Sequence, residues 1–167
     1  IPSIVFGLFG MLFFVTFLGF QYSLVSGILT SVIMVLPVII IATEEGLLSV
    51  PDSMRQASFG LGAGKLRTIF KIVLPVATPG ILSGVILSIG RIVGETAALM
   101  YTLGTSMNMP TSLLSSGRSL ALHMYVLSSE GLHVKEAYAT GVILIVTVLI
   151  INLLSSSLSK QFSKGRG

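Results

Sequence analysis

Four long apolar runs separated by polar segments dominate the sequence. They occupy residues 4–20, 24–43, 76–103 and 137–158. A membrane-spanning helix needs about 20 largely apolar residues, so each run predicts one membrane crossing. None of the runs alternates between apolar and polar positions, which excludes barrel strands. The pattern therefore predicts an all-α fold, a polytopic transmembrane helical bundle with four spans.

The third run, 76–103, is too long for one upright crossing. Pro75 and Pro79 favour a helix that begins near Thr78, with Thr78 as its N-cap and Pro79 in its first turn. Glycine pairs at 80/84 and 90/94 give two small-xxx-small patterns on this helix, which permit close approach to another helix.

Composition supports a membrane location. Hydrophobic residues make up 53% of the 167 residues and charged residues 10%, whereas a soluble domain carries about 25% charged residues. The sequence contains no cysteine, so it offers neither a disulfide nor a thiolate metal site. His123 and His133 lack a partner histidine at helical i, i+4 spacing. They favour polar surface positions over a metal site.

Basic residues set the expected orientation. Segment 44–71 and the C-terminal tail carry Arg55, Lys65, Arg67, Lys71, Lys160, Lys164 and Arg166, whereas segment 105–136 carries Arg118 and Lys135. By the positive-inside rule, the 44–75 loop and the C-terminus are cytoplasmic and segment 105–136 faces outward. Within that outer segment, residues 113–127 would lie in the interface or dock on a partner.

The 44–75 loop predicts a short helix. Ser49 followed by Asp52 is similar to a capping box, and Pro51 suits a first turn. Gly62 favours the helix end, and Gly64 loosens the joint that follows. A second amphipathic helix would then pack four apolar side chains downward: Leu66, Ile69, Phe70 and Val73.

One face of the first loop helix is small and apolar. Met54, Ala57, Ser58 and Leu61 recur at i, i+3, i+4 and i+7. Because this face lies outside the bilayer, it must be covered by the protein's own helix ends or by another polypeptide. The nearby "GLGAGK" lacks the first glycine and final Ser/Thr of a phosphate-binding loop, so we expect ATP to bind elsewhere.

The loop resembles the EAA loop of ABC-transporter permeases. In that family an EAA triplet is followed by three residues, Gly, nine residues and I-x-L-P. The sequence has "QAS" at 56–58, Gly62 and "IVLP" at 72–75 at the same spacing, with Gln56 in place of Glu and Ser58 in place of the second Ala. The segment "GETAAL" at 94–99 is similar to the phosphate-specific permeases, nearest the PstA-type subunit, with Ala98 where Pro is usual. The resemblance covers nearly the whole chain, although segment 105–136 matches weakly.

This resemblance implies a single permease domain over residues 1–167, of the type I ABC importer kind and truncated at its N-terminus. It implies import of inorganic phosphate, with no catalysis by this chain and no cofactor of its own. The implied partners are a PstB-type ATPase dimer, a PstC-type permease and a PstS-type phosphate-binding protein. We expect membrane lipid around the helices and no nucleic-acid partner. The implied ATPase-coupling residues are Met54, Gln56, Ala57, Ser58, Leu61 and Gly62.

Two opposite charges lie inside the third apolar run. Arg91 and Glu95 are four residues apart, a spacing that would place them on one helix face, where they could pair. A charged side chain near the centre of a membrane helix raises the free energy of insertion by roughly 2.5–3.5 kcal/mol, so such residues usually face the bundle interior or a water-filled path. Counted from Pro79, Arg91 would lie about 18 Å along the helix, near the middle of the hydrocarbon core.

Two roles are open for this pair. It could be a structural bridge, or Arg91, Glu95 and Thr96 could line a substrate path in which the guanidinium binds phosphate oxygens. Thr96 and Thr102 could instead bond their own backbone carbonyls. Three alternatives for the whole chain also stay open: a permease for another oxyanion (molybdate, sulfate or phosphonate), a proton-coupled secondary transporter, or a membrane scaffold.

Overall fold

The computed structural model describes residues 1–131 and 133–164, with side chains for 1–131 and 133–157. All regular structure in these residues is helical, which confirms the all-α prediction. The helices are α1 (Ser3–Gly10, continued by a π-helical Met11–Phe17), α2 (Leu24–Leu48), α3 (Asp52–Gly60), α4 (Lys65–Thr68, continued by a π-helical Ile69–Val73), α5 (Leu74–Val93), α6 (Ala97–Met100), α7 (Leu120–Glu130) and α8 (Val134–Lys164).

Three helices in the described residues are long and apolar enough to cross a membrane: Leu24–Leu48, Lys65–Val93 and Val134–Ser157. They overlap the last three predicted spans, and their length and apolar composition agree with the predicted membrane crossings. The first predicted span is a shorter apolar helix, Ser3–Phe17. The basic residues at 160, 164 and 166, which contributed to the predicted orientation, lie outside the described side chains.

The third long helix differs from its prediction at its start. It runs without interruption from Lys65, so the predicted start near Thr78 is wrong. The π-helical turn Ile69–Val73 widens the helix just before Pro75, where a proline would crowd the preceding turn. The Thr78 hydroxyl donates to Leu74 O at 2.8 Å and caps nothing. The predicted depth of Arg91 in the membrane was counted from Pro79 as the start of the helix. Because the helix begins at Lys65, that depth no longer follows.

The chain forms two compact units. The first comprises Ile1–Leu36 and Ile89–Ile151, and the second comprises Pro37–Ser88 and the described residues from Asn152 onward. Each unit contains parts of the long helices α2 and α5.

In the first unit, close backbone contacts position α6. A Cβ on Gly7 would lie 2.8 Å from Ala98 Cα, so α1 approaches α6 closely only because Gly7 has no side chain. The first N–H groups of α2 are satisfied by the segment after α6: Ser23, Leu24 and Val25 donate to the carbonyls of Thr102, Ser115 and Leu113. The outer segment is therefore built into this unit through its backbone.

The predicted outer segment contains a helix over part of its length. The chain from Thr105 to Ser119 is irregular, and α7 follows. Arg118 donates through Nε and Nη2 to Thr105 O, and its Nη1 lies 3.2 Å from His123 Nδ1. His133 lies exposed, 3.7 Å from a Glu136 carboxylate oxygen. No group of His, Asp or Glu side chains in the described residues could hold a metal ion.

In the second unit, small residues bring α2 and α5 together. A Cβ on Gly84 would lie 2.2 Å from Ala42 Cβ, and one on Gly80 would lie 3.1 Å from Gly46 Cα. The predicted packing role of the 80/84 pair is thus met within the chain. Below this contact, Val50, Val73 and Ala77 form a buried core with Leu47 and Ile81 against it.

Substitution of Gly84 by Ala should test this close contact. We expect Gly84→Ala to destabilise the full-length protein by about 1–3 kcal/mol, because the new methyl group overlaps Ala42. The double variant Gly84→Ala, Ala42→Gly removes the overlapping atom and should recover most of the loss in thermal midpoint, measured in detergent. Gly94→Ala is the matched control, since its Cβ would meet only carbonyls of its own turn at 3.7 Å or more. Equal midpoints for the two single variants would contradict the assignment.

Candidate functional site

The third long helix breaks inside the segment that carries the charges. α5 ends at Val93, and the short helix α6 begins at Ala97. Gly94, Glu95 and Thr96 lie between them. The excess length of the predicted span 76–103 was the sequence signal for this break, and Gly94 was a second signal, because glycine is a poor helix former.

Arg91 lies in the last turn of α5 and is exposed. Among the described side chains, ion pairs join Arg55 to Asp52 and His133 to Glu136, and none joins Arg91 to Glu95. The predicted pairing is wrong because i, i+4 contact requires a continuous helix, and the helix ends between the two residues. Within the described residues, the Arg91 guanidinium therefore has no ion-pair partner.

Glu95 is buried, with 8% of its surface exposed. Its Oε1 accepts a hydrogen bond from Ala98 N at 3.0 Å, so the carboxylate satisfies a backbone donor at the start of α6. Its main-chain carbonyl accepts from the Ser119 hydroxyl at 3.4 Å. Ser119 also caps α7, where its Oγ accepts from Leu122 N at 3.2 Å. Glu95 therefore makes one hydrogen bond at the start of α6 and another to Ser119, the residue that caps α7.

Thr96 lines a cavity of about 770 Å³ next to the break. The cavity walls come from α6, α7 and α8 and include the phenol-bearing residues Tyr101, Tyr125 and Tyr138. Arg91 and Glu95 are not among the lining residues of this cavity. Thr102 donates to Ala98 O at 2.8 Å, as expected for a hydroxyl bonded to its own helix.

The predicted loop helix is present as α3. It begins after Pro51 and is followed by Leu61 and Gly62. The predicted capping box is wrong: Ser49 donates to Gly46 O at 2.8 Å, and Asp52 pairs with Arg55 at 2.7 Å. Gly62 has φ 78°, the left-handed conformation that ends many helices, and a Cβ there would meet no atom within 4 Å.

A groove of about 500 Å³ lies along α3. Five of the six predicted coupling residues line it, namely Met54, Ala57, Ser58, Leu61 and Gly62, with Arg67 and Lys71 at its other side. Gln56 is exposed but is not among the lining residues. Leu61 is 89% exposed, whereas Ser58 is only 8% exposed. The lining of the groove is mostly apolar and includes two positively charged residues, Arg67 and Lys71.

The segment after Gly62 is less buried than predicted. Leu66 and Phe70 are 72% and 62% exposed, and of the four side chains expected to pack downward only Val73 is buried. Two hydrogen bonds of this loop were not predicted. One joins the hydroxyls of Ser58 and Thr68, and in the other Arg55 Nη2 donates to Leu47 O.

Two substitutions of Glu95 should show whether its hydrogen bond to Ala98 N or its negative charge stabilises the protein. Glu95→Gln keeps an oxygen that can accept from Ala98 N, so we expect the thermal midpoint of the full-length protein to stay near that of the unchanged protein. Glu95→Ala leaves that N–H without its partner, which should cost about 1–3 kcal/mol. If Gln destabilised the protein as much as Ala, the carboxylate charge rather than the hydrogen bond would be required.

Sequence comparisons agree with this architecture. Residues 1–166 match the family of binding-protein-dependent transport system inner membrane components. The chain is 33% identical over 180 residues to a probable ABC transporter permease protein, YqgI, of Bacillus subtilis, covering 98% of the chain and 61% of that protein. It is 39% identical over 160 residues to the phosphate transport system permease protein PstA of Mycobacterium leprae, covering 94% of the chain and 53% of that protein.

A third relative is the phosphate transport system permease protein PstA 1 of Mycobacterium tuberculosis, 40% identical over 156 residues, which covers 92% of the chain and 51% of the relative. No solved structure shows a significant match. The chain thus spans a little over half the length of the curated relatives it matches. Since the family model covers nearly every residue, the chain belongs to the family of inner membrane components of binding-protein-dependent transport systems.

Proposed function

We propose that this chain is the membrane-spanning part of a permease subunit in an ATP-driven importer of inorganic phosphate. The observation that carries the proposal is Arg91, whose guanidinium has no ion-pair partner among the described side chains and lies in the last turn of an apolar helix, just before the break. A charge among membrane helices is costly unless it faces water or a counter-charge. A planar fork of donors suits the oxygens of a tetrahedral oxyanion.

The names of the relatives supply the substrate. Two of them are phosphate transport system permeases, and the match extends over more than nine-tenths of this chain. Thr96 lies five residues after Arg91, across the break, and carries a hydroxyl that can donate to an anion in the same path. Glu95 supports the path by holding α6 in place, since its carboxylate is occupied by Ala98 N.

The ATPase acts on the permease through α3. The 44–75 loop is cytoplasmic, α3 is the coupling helix, and its exposed face docks on a PstB-type ATPase that binds the ATP. Met54, Ala57 and Leu61 offer an apolar docking face beside Arg67 and Lys71. Gln56 and Ser58 lie beside this face, one exposed and one buried. The outward segment 105–136 faces a PstS-type binding protein, and a PstC-type subunit completes the pore.

Loss of Arg91 should stop transport without affecting assembly. For Arg91→Ala we expect phosphate uptake to fall about 30-fold or more, the equivalent of about 2 kcal/mol for losing a charge-assisted contact. Arg91→Lys should retain part of the activity, since it keeps the charge but loses the planar fork. Uptake of labelled phosphate, with sulfate and molybdate in parallel, by cells that express the full-length gene and its partner genes measures both effects.

Lys135→Ala is the matched control, because it removes one exposed positive charge from the start of α8. Normal uptake by Arg91→Ala would exclude the substrate-path role. Uptake of sulfate or molybdate in place of phosphate would keep the transporter architecture and overturn the substrate.

The bend after α3 should be required for coupling. Gly62→Val places a branched side chain at φ 78°, which costs about 1–2 kcal/mol of backbone strain and should displace α3. We expect reduced uptake and reduced co-purification of the ATPase. Gly64→Ala is the control, because its Cβ would also meet open space while its φ is −72°. Unchanged uptake by Gly62→Val would remove the coupling role from this turn.

A further inference from the structure

Two buried hydroxyls join α3 to the start of the next long helix. Ser58 Oγ and Thr68 Oγ1 lie 2.8 Å apart, and the two residues are 8% and 1% exposed. Between them the chain reverses through the left-handed Gly62. Because Ser58 stands where the EAA pattern has alanine, this hydrogen bond depends on a residue that the general pattern lacks. Ser58 and Thr68 are called the hydroxyl clasp below.

A second contact joins α3 to the helix that precedes it. Arg55 Nη2 donates to Leu47 O at 2.8 Å, a carbonyl in the last turn of α2. The other arm of the same guanidinium, Nη1, binds the Asp52 carboxylate at 2.7 Å. The arginine therefore satisfies a helix-end carbonyl and is itself held in place by an acid on its own helix.

α3 needs these contacts because it is short. A nine-residue helix is not stable alone in water. Its side chains contribute little to a core, since Ser58 is its buried residue and Met54 and Phe59 are 41% and 49% exposed. The buried core of this unit lies on either side of α3 in sequence, at Val50, Val73 and Ala77. Polar contacts at both sides of α3 thus fix it to that core.

We propose that Arg55 and the hydroxyl clasp are positioning residues that make α3 move as one body with the ends of α2 and α4. The inference rests on the proposed function, in which the ATPase moves α3. A force on the exposed face of α3 passes to Leu47 through Arg55 and to Thr68 through Ser58. Without these contacts α3 can shift on its glycine joint while the long helices stay in place, and ATP is hydrolysed without transport.

The test compares Ser58→Ala, Thr68→Val and the double variant in the full-length permease, reconstituted with its ATPase and binding-protein partners. We expect the phosphate transported per ATP hydrolysed to fall about two- to tenfold, the range that one net hydrogen bond gives. Thr68→Val should leave the affinity for the ATPase unchanged, since Thr68 does not line the groove along α3. The double variant should be no worse than the more severe single variant, because both remove the same contact. Ser53→Ala, an exposed hydroxyl on the same helix, should behave like the unchanged protein.

Hydrogen exchange gives a readout that does not need transport. We expect the α3 amides to exchange about fivefold faster in the double variant, since the local opening equilibrium loses one hydrogen bond. Equal exchange rates would overturn the clasp even if transport failed for another reason. Absence of ATP-dependent transport in the unchanged protein, with the exchange effect present, would instead reject the proposed function and leave the clasp.

A covalent replacement separates positioning from docking. The 167 residues contain no cysteine, so within them Ser58→Cys with Thr68→Cys introduces one defined pair at positions already in side-chain contact, and any cysteine elsewhere in the full-length protein is first replaced by serine. Oxidation should restore the transport-to-ATP ratio to that of the unchanged protein. If the oxidised pair blocks transport, α3 must move relative to α4, and the proposal is wrong. A loss in the Ala/Val variants that follows weaker ATPase binding would likewise show that Ser58 is a docking contact.

Discussion

Backbone groups inside a bilayer must find partners within the protein, because the hydrocarbon core offers none. Beside the prolines of α5, the hydroxyls of Thr78 and Ser83 donate to carbonyls one turn earlier. At the break after α5, the Glu95 carboxylate accepts from Ala98 N. A carboxylate that looks like a functional charge in sequence therefore also maintains the backbone structure on which the candidate path depends.

The same requirement gives the outer segment its place in the fold. The N-terminal donors of α2 are satisfied by three carbonyls of residues 102–115. Arg118 holds the irregular chain by binding the Thr105 carbonyl. A segment with few charges and little regular structure is thus fixed by main-chain hydrogen bonds. In the first unit a glycine also contributes to packing, because Gly7 allows α1 to approach the backbone of α6. Close packing and backbone satisfaction together hold α6 immediately after the break.

Arg91 and Glu95, the two charged residues of the third apolar run, differ in burial and in hydrogen bonding. Arg91 is exposed and has no ion-pair partner among the described side chains, whereas Glu95 is buried and its carboxylate accepts a hydrogen bond from Ala98 N. Their spacing indicated a pair, but a helix break of three residues separated them. On α3, Arg55 counted toward the predicted orientation and Ser58 toward the predicted docking face, and the structure adds a hydrogen bond to each: Arg55 Nη2 donates to Leu47 O, and Ser58 Oγ lies 2.8 Å from Thr68 Oγ1. Charge and polarity in the sequence located both regions, whereas the structure shows which hydrogen bonds these side chains make.

The sequence by itself determined the helical class, the last three apolar spans and the short helix before Gly62. These follow from local physics: apolar length matches bilayer thickness, and glycine at positive φ ends a helix. Only the tertiary structure decided where the third span begins and breaks, since prolines limit a helix but a π-helical turn can carry it past them. It also decided that Ser58 meets Thr68 and that Glu95 meets Ala98 N. Such contacts depend on side-chain directions after a turn or a break, and residue spacing fixes those directions only within an unbroken helix.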